Sequence, residues 1–139
     1  MKPLIVGELN PFDGDPRYAL FPYALLSSGS RLCAILGLCE RDYLRRFDRA
    51  NLCVGTWDTA AARVVARRIL KQRRRVLILL GEKVATAFFG EFEPFSIGHL
   101  LGTRIVMLPH PSGLNRMWNA VNTASKARRA LRIVGALRA

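Results

Sequence analysis

Four short apolar runs, each separated from the next by helix-compatible sequence, predict an α/β fold: a single three-layer α/β/α domain, spanning 1–139, with a four-stranded parallel sheet. Three observations lead there. The runs Pro3–Val6, Arg49–Val54, Val76–Leu80 and Arg104–Leu108 are short, apolar and closed by glycine or proline, as strands buried on both faces are. Strands that alternate with helices form parallel sheets with right-handed crossovers. A chain of 139 residues, half of it hydrophobic, suits one domain with a real core and is too short for two of ordinary size.

Taken in order, Pro3–Val6 is the first strand, ended by Gly7, and Gly7–Pro16 is a loop rich in turn-forming Pro, Gly, Asn and Asp. It gathers Glu8, Asn10, Asp13 and Asp15 in a chain where carboxylates are scarce, although turn and capping chemistry accounts for Asp13 and Asp15. Tyr18, Phe21, Pro22 and Tyr23 fall in a further loop. Ser27, Ser28 or Ser30 caps a helix over Arg31–Leu38, and hydroxyls with free N–H groups at a helix start also suit a phosphate. Glu40–Phe47 is a second helical stretch. Asn51 is a poor strand former inside the second strand; a buried Asn satisfies a neighbouring loop or, with donor and acceptor on one amide, reads a base edge. Asp58 or Thr59 caps a helix to about Gln72 whose outward face carries Arg63, Arg67, Arg68 and Lys71. After Val76–Leu80, ended by Gly81, come a short helix over Glu82–Phe89 and a loop or small hairpin over Glu91–Gly102 that contains an isolated His99.

The fourth strand, Arg104–Leu108, runs into Pro109-His-Pro-Ser-Gly-Leu-Asn-Arg116. Two prolines stop the strand and Gly113 permits a turn, so His110, Ser112 and Leu114 sit on a short stiff loop at a strand's carboxyl end, where open α/β sheets bind ligands. A basic helix from Met117 to Arg138 closes the chain. The loops Gly7–Pro16, Asn51–Trp57 and Pro109–Arg116 are expected to meet at one edge of the sheet.

The net charge of +12, from 22 basic and 10 acidic residues, favours a polyanionic partner, most simply nucleic acid; a solubilising surface or an anionic membrane are the competing explanations. No apolar run reaches the length of a membrane span, and Pro3, Gly7 and Glu8 interrupt any signal-peptide pattern, so a cytoplasmic protein without membrane association, a monomer, is expected. Cys33, Cys39 and Cys53 form no disulfide, zinc or iron–sulfur framework, and no metal or other cofactor is expected.

His110-Pro-Ser-Gly-Leu114 resembles the second signature of the uracil-DNA glycosylase superfamily, which reads H-P-S-P-L-S in one branch and N-P-S-G-L-S-R in mismatch-specific members. Gly7-Glu-Leu-Asn-Pro-Phe12 is similar to the first signature, G-Q-D-P-Y, G-x-N-P-G or G-E-A-P-G in different branches. Ser28-Gly-Ser-Arg-Leu32 resembles the S-G-x-x-L helix, and Leu79-Leu-Gly-Glu-Lys-Val-Ala85 the L-G-x-x-A segment. The order and spacing match from one end of the chain to the other. One departure stands out: two residues, Glu8 and Leu9, separate Gly7 from Asn10-Pro11, where the family has one.

The resemblance implies a monofunctional DNA glycosylase acting on uracil or a related damaged or modified base flipped out of DNA. In one register Asn10 orients the water; in the other Glu8 does. His110 donates to the base oxygen and stabilises the departing anion. Asn51 reads the base, Phe21 or Tyr18 stacks on it, and Phe12 stands where a Tyr excludes the thymine methyl. Leu114 fills the gap in the duplex. Ser27, Ser28 and Ser112 hold phosphates, and Arg116 lies beside them. Two alternatives keep the fold: a glycosylase for another base (thymine in G:T mismatches, hypoxanthine or a modified pyrimidine), or a DNA-binding member without catalysis. Loss of turnover without loss of DNA binding in Asn10→Ala, Glu8→Ala and His110→Ala separates enzyme from binder.

Overall fold

A computed structural model describes residues 1–11, 13–22, 27–112 and 115–138. One five-stranded sheet organises them, in the order β2-β1-β3-β5-β4. Strands β1 (Leu4–Asn10), β2 (Asp48–Val54), β3 (Val76–Leu80) and β5 (Thr103–Leu108) are parallel, and β4 (Ile97–Leu100) pairs antiparallel with β5 at one edge. The helices are α1 (Ser28–Leu36), α2 (Glu40–Arg46), α3 (Thr59–Lys71), α4 (Glu82–Phe88) and α5 (Thr123–Ile133).

Side chains of successive strand residues point to opposite faces, and both faces here are covered. Ile78 and Leu80 of β3 join Ile5, Val106 and Leu108 in a core that includes Leu32, Tyr43, Phe47 and Leu131 from the α1, α2 and α5 layer. Leu77 and Leu79 join Leu4, Val6 and Ile105 against Ala62, Ala66 and Ile69 of α3 and Val84 of α4. That double burial explains why all five residues of β3 are apolar and buried. At roughly 1.5–3 kcal/mol for each large apolar side chain, it makes β3 the best-anchored strand.

Three expectations are corrected. The sheet has five strands, not four: β4 lies in the segment read as a loop or small hairpin, and joins β5 through Leu101 and Gly102, both at positive φ (50° and 83°), the backbone of a tight two-residue hairpin. His99 therefore stands on an exposed edge strand, opposite Arg104. Strand β1 does not end at Gly7 but continues alongside β2 to Asn10, so Glu8 and Asn10 belong to a strand end rather than a loop. The last helix begins at Thr123 and ends at Ile133, shorter than Met117–Arg138. A separate 3-10 turn occupies Arg116–Asn119, Asn122 at φ 69° breaks the path between the two, and Gly135 at φ 81° follows the helix.

The strand order places the site. From β1 the chain crosses outward to β2 by way of α1 and α2, and returns on the other face through α3 to β3 on the far side of β1. The reversal opens a crevice at the carboxyl ends of β1 and β3, the location where such sheets bind ligands.

Candidate active site

Pairing between β1 and β3 ends at Val6–Leu79, while β1 runs on to Asn10 beside β2. Glu8 thus stands at the end of β3, where Gly81 turns into α4. Gly81 holds φ 93°, and a side chain on it would lie 3.2 Å from His110 Cβ and 3.6 Å from Glu8 Oε1. The carboxylate and the imidazole therefore pack over the same bare α-carbon, one from β1 and the other from the loop after β5.

His110 is held from several sides. Its backbone carbonyl accepts from Asn115 Nδ2 at 3.0 Å and from Trp118 Nε1 at 3.1 Å. Its ring Nδ1 accepts the backbone N–H of Ser112 at 3.2 Å. An Nδ1 that accepts leaves the neutral ring's proton on Nε2. Burial pushes the His110 pKa below its ordinary value and outweighs the Glu8 carboxylate, which pulls the other way. The site therefore presents a neutral imidazole with one N–H donor.

Across the crevice, Asn51 Nδ2 donates to Asn10 Oδ1 at 2.7 Å. Asn51 Oδ1 lies over the α-carbon of Gly7, in the space any side chain there would fill, with Leu20 closing the other side. Gly7 is thus the residue that lets the Asn51 amide lie against β1. Asn10 is buried at 6% exposure, and the oxygen proposed to orient a water already accepts from Asn51.

The third wall is the segment Ala19–Pro22. Leu20, at φ 53°, passes its carbonyl so close to Gly29 that a Cβ there would collide with it. Fully buried Tyr43 donates its phenol O–H to that same carbonyl at 2.9 Å. The Arg49 guanidinium sits 5.9 Å from the ring centres of both Phe21 and Tyr43, and its Nη1 donates to Phe47 O at 2.8 Å. Phe21 also meets Tyr18 edge to face, with ring centres 5.2 Å apart. Ser27 caps α1, its Oγ accepting from Ser30 N–H at 3.1 Å, which leaves the hydroxyl proton for another acceptor.

Glu8, Asn10, Phe21, Ser27, Ser28, Asn51 and His110 line one crevice of about 440 Å³, together with Leu20 and Gly29. Ser112 contributes its backbone N–H to His110 rather than lining that crevice. Arg116 is exposed on the 3-10 turn that follows. Phe12 and Leu114 lie outside the described residues. Reading the sequence missed Gly7 and Gly81 as floors for side chains, Tyr43 and Arg49 as supports for Leu20 and Phe21, and Asn115 and Trp118 as clamps on His110. The glycines left a signal, each standing where a buried strand reaches the crevice.

A three-layer α/β sheet with a polar crevice at its switch point, holding a carboxylate, a neutral imidazole and paired amides, defines a class: open α/β proteins whose polar side chains gather at the carboxyl edge, the place where such sheets bind ligands. The family is more particular. The model of the uracil DNA glycosylase superfamily matches residues 4–133, and the chain belongs to that superfamily, a family of DNA glycosylases that act on DNA. A comparison with curated proteins found no match. Among the described residues, no helix is long and apolar enough to cross a membrane.

Proposed function

We propose that the chain is a monofunctional DNA glycosylase that hydrolyses the N-glycosidic bond of uracil, or of a closely related base, in a nucleotide flipped into the crevice. The observation that carries this reading is the pairing of Glu8 with His110 over Gly81, with Nδ1 of His110 occupied by the Ser112 N–H. Breaking the bond leaves its electron pair on the base and positive charge on the sugar. The Nε2–H of His110 donates to the base oxygen on which that charge gathers. Glu8 polarises the water that attacks C1′ and takes up its proton. With its oxygen engaged by Asn51, Asn10 holds the reading amide rather than the water. Asn51 keeps one N–H and spare acceptor capacity for the edge of the base, and Phe21 stacks on its face. The product is a free base and an abasic site, the opening step of base excision repair.

The test is release of base from end-labelled oligonucleotides followed by alkaline cleavage of abasic sites. Substrates carry uracil in single strands and opposite G or A, thymine opposite G, hypoxanthine, or hydroxymethyluracil. Product from uracil that falls at least about a hundredfold in His110→Ala and in Glu8→Gln, with DNA binding retained, is the expected result. Product from another base alone reassigns the substrate. No product from any substrate, with salt-sensitive DNA binding intact, overturns the catalytic reading in favour of a binder.

A further inference from the structure

A hollow larger than the candidate site lies at the opposite edge of the sheet. It measures about 490 Å³ and is lined by Pro3, Arg75, Gly102, Arg104 and Gly135 among others. A second hollow of about 390 Å³ shares Pro3 and Gly135 with it and adds Arg45, Arg46 and Arg138. Pro3 precedes β1, Arg75 precedes β3, Arg104 is the second residue of β5, Arg46 ends α2 just before β2, and Gly135 follows α5. All therefore belong to the amino ends of the parallel strands. From Pro3 to Asn10 the chain rises roughly 23 Å at ~3.3 Å per residue.

The charge is divided between the two edges in an unexpected way. Glu8, Asp13, Asp15, Asp58 and Glu82 all stand at or just after the carboxyl ends of strands, on the edge that holds the crevice. Near the rear groove, Asp42 is bonded to Arg45 at 2.9 Å and Asp48 to Arg74 at 2.7 Å. Arg46, Arg75 and Arg104 make no ion pair among the described residues, and the last two are exposed. Guanidinium groups without carboxylate partners, lining two adjoining hollows that together form one groove along the amino edge, suit phosphate groups. No aromatic ring lines either hollow among the described residues, so the stacking platform that single-stranded nucleic acid uses is missing. The chemistry fits the backbone of a duplex, bound without regard to sequence.

We propose that this amino-edge groove is a second DNA-binding surface, which takes the backbone of a duplex segment other than the one presented to the crevice, so that one molecule holds two segments at once. A duplex docked across the carboxyl ends faces away from the groove, and so cannot satisfy it. The inference goes beyond base release and does not depend on turnover.

The test is capture. A tagged duplex is fixed to beads and loaded with the full chain, and a labelled second duplex of different sequence is then added. The wild type captures the second duplex, and added salt abolishes capture. Arg46→Gln/Arg75→Gln/Arg104→Gln lowers capture at least about tenfold while base release from one duplex stays within about twofold. Arg75→Gln/Arg104→Gln, at two exposed positions, shows the same direction if the triple variant melts early. Arg63→Gln/Arg67→Gln/Arg68→Gln removes equal charge from the outer face of α3 and keeps capture. Equal loss in both triple variants, or unchanged capture in the groove variant, overturns the proposal. So does a wild type that releases base but never captures a second duplex. A groove variant that loses binding to polyglutamate while keeping DNA capture also overturns it and assigns the groove to an acidic protein. Because capture is read without turnover, failure of the glycosylase reading leaves this outcome separately visible.

Discussion

Two glycines at positive φ separate strain from site geometry. Gly37 at φ 67°, ψ 32° occupies the left-handed helical region, which costs a residue with a side chain about 1–2 kcal/mol; Gly81 at φ 93°, ψ 168° is extended at positive φ, a region essentially confined to glycine, where the cost is about 1–3 kcal/mol. At Gly37 nothing lies within 4 Å, whereas at Gly81 a Cβ meets His110 and Glu8. Both Gly→Ala variants are expected to lose stability by denaturant titration, about 1 kcal/mol at Gly37 and up to about 3 kcal/mol at Gly81, but only Gly81→Ala loses base release, by about tenfold or more in kcat with DNA affinity kept. Equal kinetic losses would remove Gly81 from the site. His110 supplies a pH prediction. Protonation at Nδ1 would set two donors, Nδ1–H and the Ser112 N–H, against each other. Base release should therefore fall on the acid side, with a midpoint below the ordinary 6.5, because burial lowers the His110 pKa. The linked stability has the same sign: above 6.5 the ring is neutral folded or unfolded, and as pH falls the unfolded chain takes the proton first, so stability is lost through the folded-state value. A kcat profile and melting curves between pH 5 and 8 check both.

At the scale of elements, the crevice depends on a short segment pinned from behind. Tyr43 belongs to α2, yet its O–H holds Leu20, twenty-three residues earlier. Tyr43→Phe keeps the packing and leaves the half-buried carbonyl of Leu20 without that donor, which should cost about 1 kcal/mol of stability. With Leu20 and Phe21 less fixed, KM should rise several-fold while kcat changes little, a split that steady-state kinetics reads directly; a loss confined to kcat would contradict the wall's role. The same contacts show what was legible in the chain. β3 was readable because a continuous apolar run buried on both faces has few other interpretations. The carboxyl-edge loop of β5 was readable because prolines and glycine punctuate it. β1 was read too short because Gly7 looks like a strand stop, when its bareness makes room for Asn51 from the neighbouring strand. β4 was obscured by Gly98 and by a Leu-Gly hairpin without Asn or Asp. The last helix was read too long because its basic composition continues through Trp118, whose ring N–H is instead drawn to His110. The Asn10–Asn51 bond joins residues forty-one apart, and no local pattern announces it.

For the whole molecule, the net charge of +12 is spread over the amino edge of the sheet and the exposed faces of α3 and α5. Three ion pairs join the described residues, and Arg17–Asp15 and Arg45–Asp42 are largely exposed, where such pairs contribute little. Most of the 22 basic side chains therefore repel one another in the folded state, and the compact chain carries a self-repulsion that the expanded chain relieves. Screening weakens that repulsion once the Debye length falls to about 8 Å, near physiological salt. Salt should then act in opposite directions on the two properties. The midpoint of thermal unfolding should rise by a few degrees between about 0.02 and 0.3 M sodium chloride, while affinity for a duplex falls steeply over the same range, because each phosphate contact releases a counterion. Differential scanning fluorimetry and a binding titration on the same samples measure both. Replacing the sodium chloride with an uncharged osmolyte at matched osmolality should abolish the loss of affinity. A midpoint that falls with sodium chloride would mean that attraction, not repulsion, dominates the folded surface, and would direct attention to charge pairs at the carboxyl edge, where the acidic side chains collect.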